Sequence, residues 1–175
     1  VRLAEGDRVV SMAVIRHFEA TPEERAAFIR QRRLIAGAAD EAEAEAEDDE
    51  AVEVGQLSTE RYAEMSAAED LLLTVTSQGL GKLTSSHDYR ITARGGQGVR
   101  ATDAARRGGQ LGAVFPVDTS DQVMLVTSGG QSIRVPVDGI RFMARSGGGV
   151  KVLDLNGSGE QVVSVARVAE QGDEA

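Results

Sequence analysis

The apolar positions of this chain follow two different rhythms. From residue 70 onward they come as short alternating or continuous runs rich in valine, isoleucine and leucine, interrupted by glycine, the pattern of antiparallel strands joined by tight turns. The runs also recur. Residues 70–117 and 121–168 superimpose at a constant offset of 51 without a gap: Val75-Thr76-Ser77 falls on Val126-Thr127-Ser128, Gly79 on Gly130, Arg90 on Arg141, Arg94 on Arg145, Gly98-Val99 on Gly149-Val150 and Val117 on Val168. About a third of the 48 aligned positions are identical. A fixed period near 50 in strand-type sequence predicts radially repeated sheet units, an all-β, propeller-like array of four-stranded antiparallel blades. The strands are expected at 71–77, 81–86, 89–94 and 98–103, with 111–117 closing the unit. In the second copy they are expected at 122–128, 132–137, 140–145 and 149–155, with 161–168 closing. Glycines at 79–81, 95–98, 108–109, 129–130 and 147–149 supply the turns.

Ahead of residue 70 the pattern changes. Residues 1–15 read as two short strands around a turn at Glu5-Gly6-Asp7. Val9-Val10-Ser11-Met12-Ala13-Val14 resembles Val162-Val163-Ser164-Val165-Ala166-Arg167, the end of a repeat. The chain is therefore expected to open partway through an earlier copy, as a fragment of a longer protein. Between residues 16 and 69 the repeat stops. Thr21-Pro22-Glu23-Glu24 is a helix start, with Thr21 as N-cap, Pro22 in the first helical position and Glu24 completing a capping box. That helix should run through Phe28, Ile29 and Leu34 to about Gly37, its Arg30, Arg32 and Arg33 complementing the negative end of the dipole. A run of 8 carboxylates in 11 residues follows, Asp40 to Glu50, which repels itself and predicts disorder. A second helix is expected over roughly 59–68. The expected organisation is thus the end of a blade (1–15), a helical and acidic insertion between blades (16–69), a blade (70–119), a final blade (120–168) and an acidic tail (169–175).

Charge sharpens this division. The net charge of −9 argues against a polyanionic partner only if it is spread evenly. Residues 16–69 hold 6 basic and 15 acidic side chains, whereas 70–151 hold 10 basic and 6 acidic, a local excess of positive charge. The field at a surface depends on charges within about 10 Å at physiological salt, so the local excess matters more than the total. Cysteine is absent, which excludes disulfides and thiolate ligation and fits a reducing cytoplasm. No apolar run approaches the length of a membrane span. Aromatics at 3% are too few for stacking on unpaired bases to carry binding.

The basic residues repeat with the fold's own period. Arg90, Arg94 and Arg100 recur as Arg141, Arg145 and Lys151. A surface that repeats its cations suits a ligand with periodic negative charge, and the nucleic acid backbone is such a ligand. Ala93 to Arg100 and Ala144 to Lys151 are glycine-rich turns flanked by cations, where amides and guanidinium groups can approach phosphate closely. The competing reading of each is a hairpin turn with solvated charges. Lys82, Arg106, Arg107 and Arg134 are further candidate phosphate contacts. Neither a dinucleotide fingerprint nor a P-loop is present. His17 and His87 form no metal-spaced cluster, Tyr62 and Tyr89 read as packing residues, and Ser77 and Ser128 lack histidine and aspartate in register. No metal site or catalytic residue is expected within the chain.

Leu73 to Lys82, Tyr89-Arg90, Arg94 to Val99, Asp121 to Gly130, Ile133-Arg134-Val135, Gly149-Val150 and Val162 to Val168 together resemble the C-terminal domain of the DNA gyrase A protein, a type IIA topoisomerase component. The likeness to the corresponding domain of topoisomerase IV is weaker. The resemblance covers residues 1–15 and 70–168. It implies a beta-pinwheel whose neighbouring blades exchange strands, and which wraps double-stranded DNA around a basic perimeter in support of ATP-dependent negative supercoiling. It further implies a cytoplasmic A2B2 heterotetramer with the gyrase B protein and a second copy of gyrase A. In that assembly ATP and Mg are held by gyrase B, and this chain needs no cofactor of its own. The seven-residue box of the family's first blade and the DNA-cleaving tyrosine motif are not in this sequence. The alternative function for the same blades is a protein-interaction scaffold.

Overall fold

The computed structural model describes residues 3–36, 55–92, 96, 98–102, 109–157 and 159–168. Two helices and seven strands are defined among them. They are α1 (Pro22–Ile35), α2 (Thr59–Ala67), β1 (Leu71–Thr76), β2 (Leu80–Ser85), β3 (Leu111–Val117), β4 (Gln122–Thr127), β5 (Ser132–Pro136), β6 (Val150–Lys151) and β7 (Val162–Val168). The strands form two antiparallel sheets, one in the order β3-β1-β2-β6 (blade 1) and one in the order β5-β4-β7 (blade 2). The acidic run 40–50 and the tail 169–175 lie outside the described residues.

Residues shared by the two repeats make the same bonds in each. The Ser77 and Ser128 hydroxyls accept the amides of Gln110 (2.9 Å) and Gln161 (3.1 Å). The Thr76 and Thr127 hydroxyls accept those of Leu80 (3.3 Å) and Gln131 (3.1 Å), closing both β-turns. Asp70 and Asp121 carbonyls accept from Ser86 and Val137, fixing the start of the 3-10 turns Ser86–Asp88 and Val137–Gly139. The repeated residues therefore specify turn and strand-end geometry, while the core is built from a wider apolar set. Leu73, Val75, Leu83, Val117, Val123, Leu125, Val137, Ile140, Leu153 and Val162 form one cluster running through both sheets.

The expected third and fourth strands of each repeat are the main correction. Residues 89–92 and 98–102 form no strand, 140–145 is reduced to a single bridge at Phe142, and 149–155 is reduced to β6. The reason is that residues 141–153 pair outward, onto the preceding unit. The Leu83 amide donates to the Arg141 carbonyl, and the Leu83 carbonyl accepts from Met143, both at 2.9 Å. β6 pairs with β2 through Leu80 with Lys151 and Gly81 with Val150. Gly149, at φ +82°, lies so close that a Cβ on it would sit 3.1 Å from the Gly81 oxygen, so a side chain would force the crossing apart. Of the residues between 89 and 102, Tyr89 stays on Thr84 of blade 1, and Arg100 and Thr102 meet Arg145 and Gly147 of the second repeat. Residues 3–15 are likewise not strands. They are exposed, with Ser11 Oγ donating to the Val114 carbonyl on β3.

The helices form where the sequence signals place them. Thr21 and Glu24 complete the capping box on α1, and Ser58 caps α2. The two helices share a small core of Phe28, Ile29 and Met65, joined by Phe18, Leu57 and Tyr62. His87, at the 3-10 turn of blade 1, enters this core. Its ring meets Phe18 and Phe28 edge-on and its Nε2 lies 2.8 Å from the Met65 carbonyl oxygen. At the C-terminal end of α1, Arg32 pairs with Glu69 and lies 4.9 Å over the ring of Phe142. The insertion thus packs on blade 1 and on the segment that blade 2 lends to it.

Candidate nucleic-acid interface

The exchanged segment decides where the repeated cations go. Because residues 141–153 lie along β2, Arg141 and Lys151 stand on the outer edge of the blade 1 sheet, and both are exposed. Lys151 pairs with Asp154 at 2.7 Å, a surface pair in which neither group is withdrawn from water. Arg100 is exposed as well, its carbonyl accepting from Arg145 Nη1 at 2.6 Å. Arg90 is exposed just after the 3-10 turn of blade 1, as Arg141 is after that of blade 2. Arg134 is exposed on β5, the edge strand of the other sheet, opposite Met124. Arg94, Arg106 and Arg107 lie outside the described residues.

Two expected phosphate contacts are placed otherwise. Lys82 is 1% exposed, and its ammonium donates to the carbonyls of Ala144 (2.9 Å), Arg145 (2.5 Å) and Gly147 (2.5 Å). A buried ammonium is tolerated only where acceptors replace its water, and here the loop of the next repeat provides them. Lys82 therefore cannot reach a phosphate outside the protein. Arg145 is drawn inward too, its side chain 21% exposed, and Asp88 holds both of its ends. The carboxylate accepts the Arg145 amide at 2.7 Å and lies 3.9 Å from its Nε. Arg145 joins the two repeats more than it faces solvent. Sequence reasoning missed Asp88 and Thr102, whose hydroxyl donates to Gly147 at 3.3 Å. Asp88 aligns with Gly139 and Thr102 with Leu153, breaks in the repeat that do not stand out among the many others.

Other polar groups are structural. Tyr89 shares a hydrogen bond with Thr84 inside blade 1, and burial pushes its phenol above the usual range. Glu160 accepts from the Thr127 hydroxyl and, at 2.7 Å, from the Asn156 amide. These bonds, the threonine's foremost, hold its carboxyl below the usual range. A cleft of about 550 Å³ opens between the two units, and its charges are internally paired: Arg16 with Asp70, and Arg167 with Asp118. Among the described residues no cluster of three His, Asp or Glu could hold a metal ion, and no helix is long and apolar enough to cross a membrane.

Antiparallel sheet units that lend edge segments to their neighbours define the beta-pinwheel, a relative of the propeller. Residues 1–16, 70–118 and 121–169 match the family described as DNA gyrase C-terminal domain, beta-propeller. The chain belongs to that family. It is 47% identical to the DNA gyrase A protein of Granulibacter bethesdensis and 38% identical to that of Rickettsia bellii, over 97% and 99% of its own length. It spans 19% of the length of each of these relatives. Among solved structures it resembles a DNA gyrase A C-terminal domain (TM-score 0.53, 22% identity, 58% of this chain and 34% of that one). It also resembles the C-terminal domain of DNA topoisomerase IV (TM-score 0.51, 24% identity, 57% and 31%). These two likenesses are of fold.

Proposed function

We propose that this part of gyrase A binds and wraps double-stranded DNA, and that it does so in support of ATP-dependent negative supercoiling. The observation that carries the reading is the outer edge of blade 1, to which the lent segment brings exposed Arg141 and Lys151, with exposed Arg100 held to the same segment through Arg145. Arg90 and Arg134 are exposed as well. Arg94, Arg106 and Arg107 remain proposed contacts on sequence grounds. Bending a duplex around a protein costs several kcal/mol per site, which a series of phosphate contacts offsets. Such contacts read backbone geometry, so little sequence preference is expected. The holoenzyme we propose is cytoplasmic and contains gyrase B and a second copy of gyrase A in an A2B2 assembly, with ATP and Mg held by gyrase B.

The test is duplex binding by the full-length protein over a salt series. Arg141→Ala should lower the slope of log affinity against log salt by about one. Unchanged slopes for Arg100→Ala, Arg141→Ala and Lys151→Ala together would refute this edge as the interface.

A further inference from the structure

We infer that Lys82 is a positioning residue for the DNA-binding edge: its buried ammonium locks the loop 144–147 of the second repeat onto blade 1 and so fixes the cations on either side of that loop. The inference rests on the DNA-binding reading above and assigns a role within it to a residue that touches no ligand.

The geometry is specific to this one joint. Three carbonyls of a four-residue stretch, those of Ala144, Arg145 and Gly147, converge on Lys82 Nζ. Carbonyl groups that point at one centre repel one another, so the loop holds this shape only with a cation or a set of donors between them. An ammonium carries three donors and matches three acceptors. Two further bonds from the first repeat grip the same loop, Asp88 on the Arg145 amide and Thr102 on the Gly147 carbonyl. The loop lies between Arg141, whose carbonyl is held by the Leu83 amide, and Lys151, which is held in register opposite Leu80. The lock and the pairing with β2 together therefore hold the lent segment in place, and with it two of the cations proposed to meet phosphate. At the equivalent place in blade 2 stands Ile133, which has no donor, so the lock belongs to the joint between these two repeats.

Lys82→Met keeps most of the side-chain volume and removes the donors. Two readouts apply, both in the full-length protein. The first is native-state trypsin cleavage at Arg145-Ser146, scored by mass spectrometry relative to Arg134-Val135 on β5. The second is the salt slope of binding to a short duplex. Leu73→Ala, a fully buried core truncation that leaves the loop bonds in place, controls for lost stability. The expected result is that Lys82→Met raises relative cleavage at Arg145-Ser146 at least tenfold and lowers the slope by one to two, while Leu73→Ala changes neither. Wild-type cleavage in Lys82→Met overturns the lock, and an equal slope loss in Leu73→Ala overturns the positioning role. If Arg141→Ala lowers the slope but Lys82→Met leaves it unchanged, this inference fails and the DNA reading stands. If neither lowers the slope and Arg145-Ser146 is newly cleaved, the DNA reading fails and the lock stands.

Discussion

β2 and β5 occupy the same place in consecutive repeats and live in different surroundings. β2 is buried from Gly81 to Ser85, because residues 141–153 cover its outer edge. β5 is the edge of its sheet and alternates between exposed and half-buried residues, Ser132, Arg134 and Pro136 facing solvent. The inner neighbours differ in the same way. β1 is buried almost throughout, whereas β4 alternates. Equivalent strands of two related repeats thus differ in having an edge closed or open, and the closed one is the one that receives a lent segment. An edge strand can keep its charge in water, as Arg134 does. A covered strand must give any charge a partner, as Lys82 is given three carbonyls.

The difference can be probed first at the shared turn. Gly79 and Gly130 both adopt positive φ, +74° and +83°. A Cβ on Gly79 would meet the Leu153 carbonyl oxygen at 2.7 Å, whereas on Gly130 it would meet nothing within 4 Å. Gly130→Ala should cost about 1–2 kcal/mol for the left-handed backbone alone. Gly79→Ala should cost a further ~1–3 kcal/mol, because the lent segment has to move. Equal losses in denaturant melts would show that Leu153 does not pack on the turn.

Hydrogen exchange gives the next largest contrast. The Leu83 amide is bonded to Arg141, so it should exchange only when the lent segment lifts away. The Arg134 amide, at the equivalent site on an uncovered edge, should exchange faster by several orders of magnitude. Comparable protection would mean that β5 has a partner in solution. On the DNA side, Arg141→Ala should reduce the salt slope by about one, and Arg145→Ala should reduce it less while lowering the melting temperature more. The reverse order would put Arg145 on the ligand.

The smallest effect concerns acid. Glu160 in blade 2 caps the Thr127 turn, where blade 1 has Gly109. Its carboxyl titrates below the ordinary range. The stability it gives is therefore complete above the pH at which an unfolded glutamate ionises, and is lost as pH falls through the lower folded value. Glu160→Gln should lower stability slightly at neutral pH and leave it nearly unchanged at low pH, so that the acid side of the profile flattens. An identical acid limb in the variant would remove Glu160 from the account.

What the sequence discloses is local. Thr76-Ser77 with Gly79, and the capping box at Thr21-Glu24, act within a few residues of themselves, so spacing alone reveals them. The two repeats and their shared turns are legible for the same reason. The pairing of residues 141–153 is not, because β-type segments accept any edge of suitable register, and only the three-dimensional array decides whose edge is free. Lys82 and Arg145 mislead for a related reason. Charge suggests solvent unless the acceptors are visible, and theirs lie 62–65 residues away or on a different repeat. Arg90, Arg100, Arg141 and Lys151 do stand on the surface as charge alone suggests, since the fold draws none of these four side chains into its interior.

Lending also separates two boundaries that a linear sequence makes look like one. A window of one period contains the receiving strands of its own sheet and the piece that completes the sheet before it. Copying such a window in tandem adds one giver and one taker together, so an array can grow by whole periods without leaving an unmatched edge. A cut placed between sheets as they stand in space would instead divide the chain mid-period. The number of sheets in this architecture can therefore change through ordinary duplication of a gene segment, with no simultaneous repair of the sheet edges.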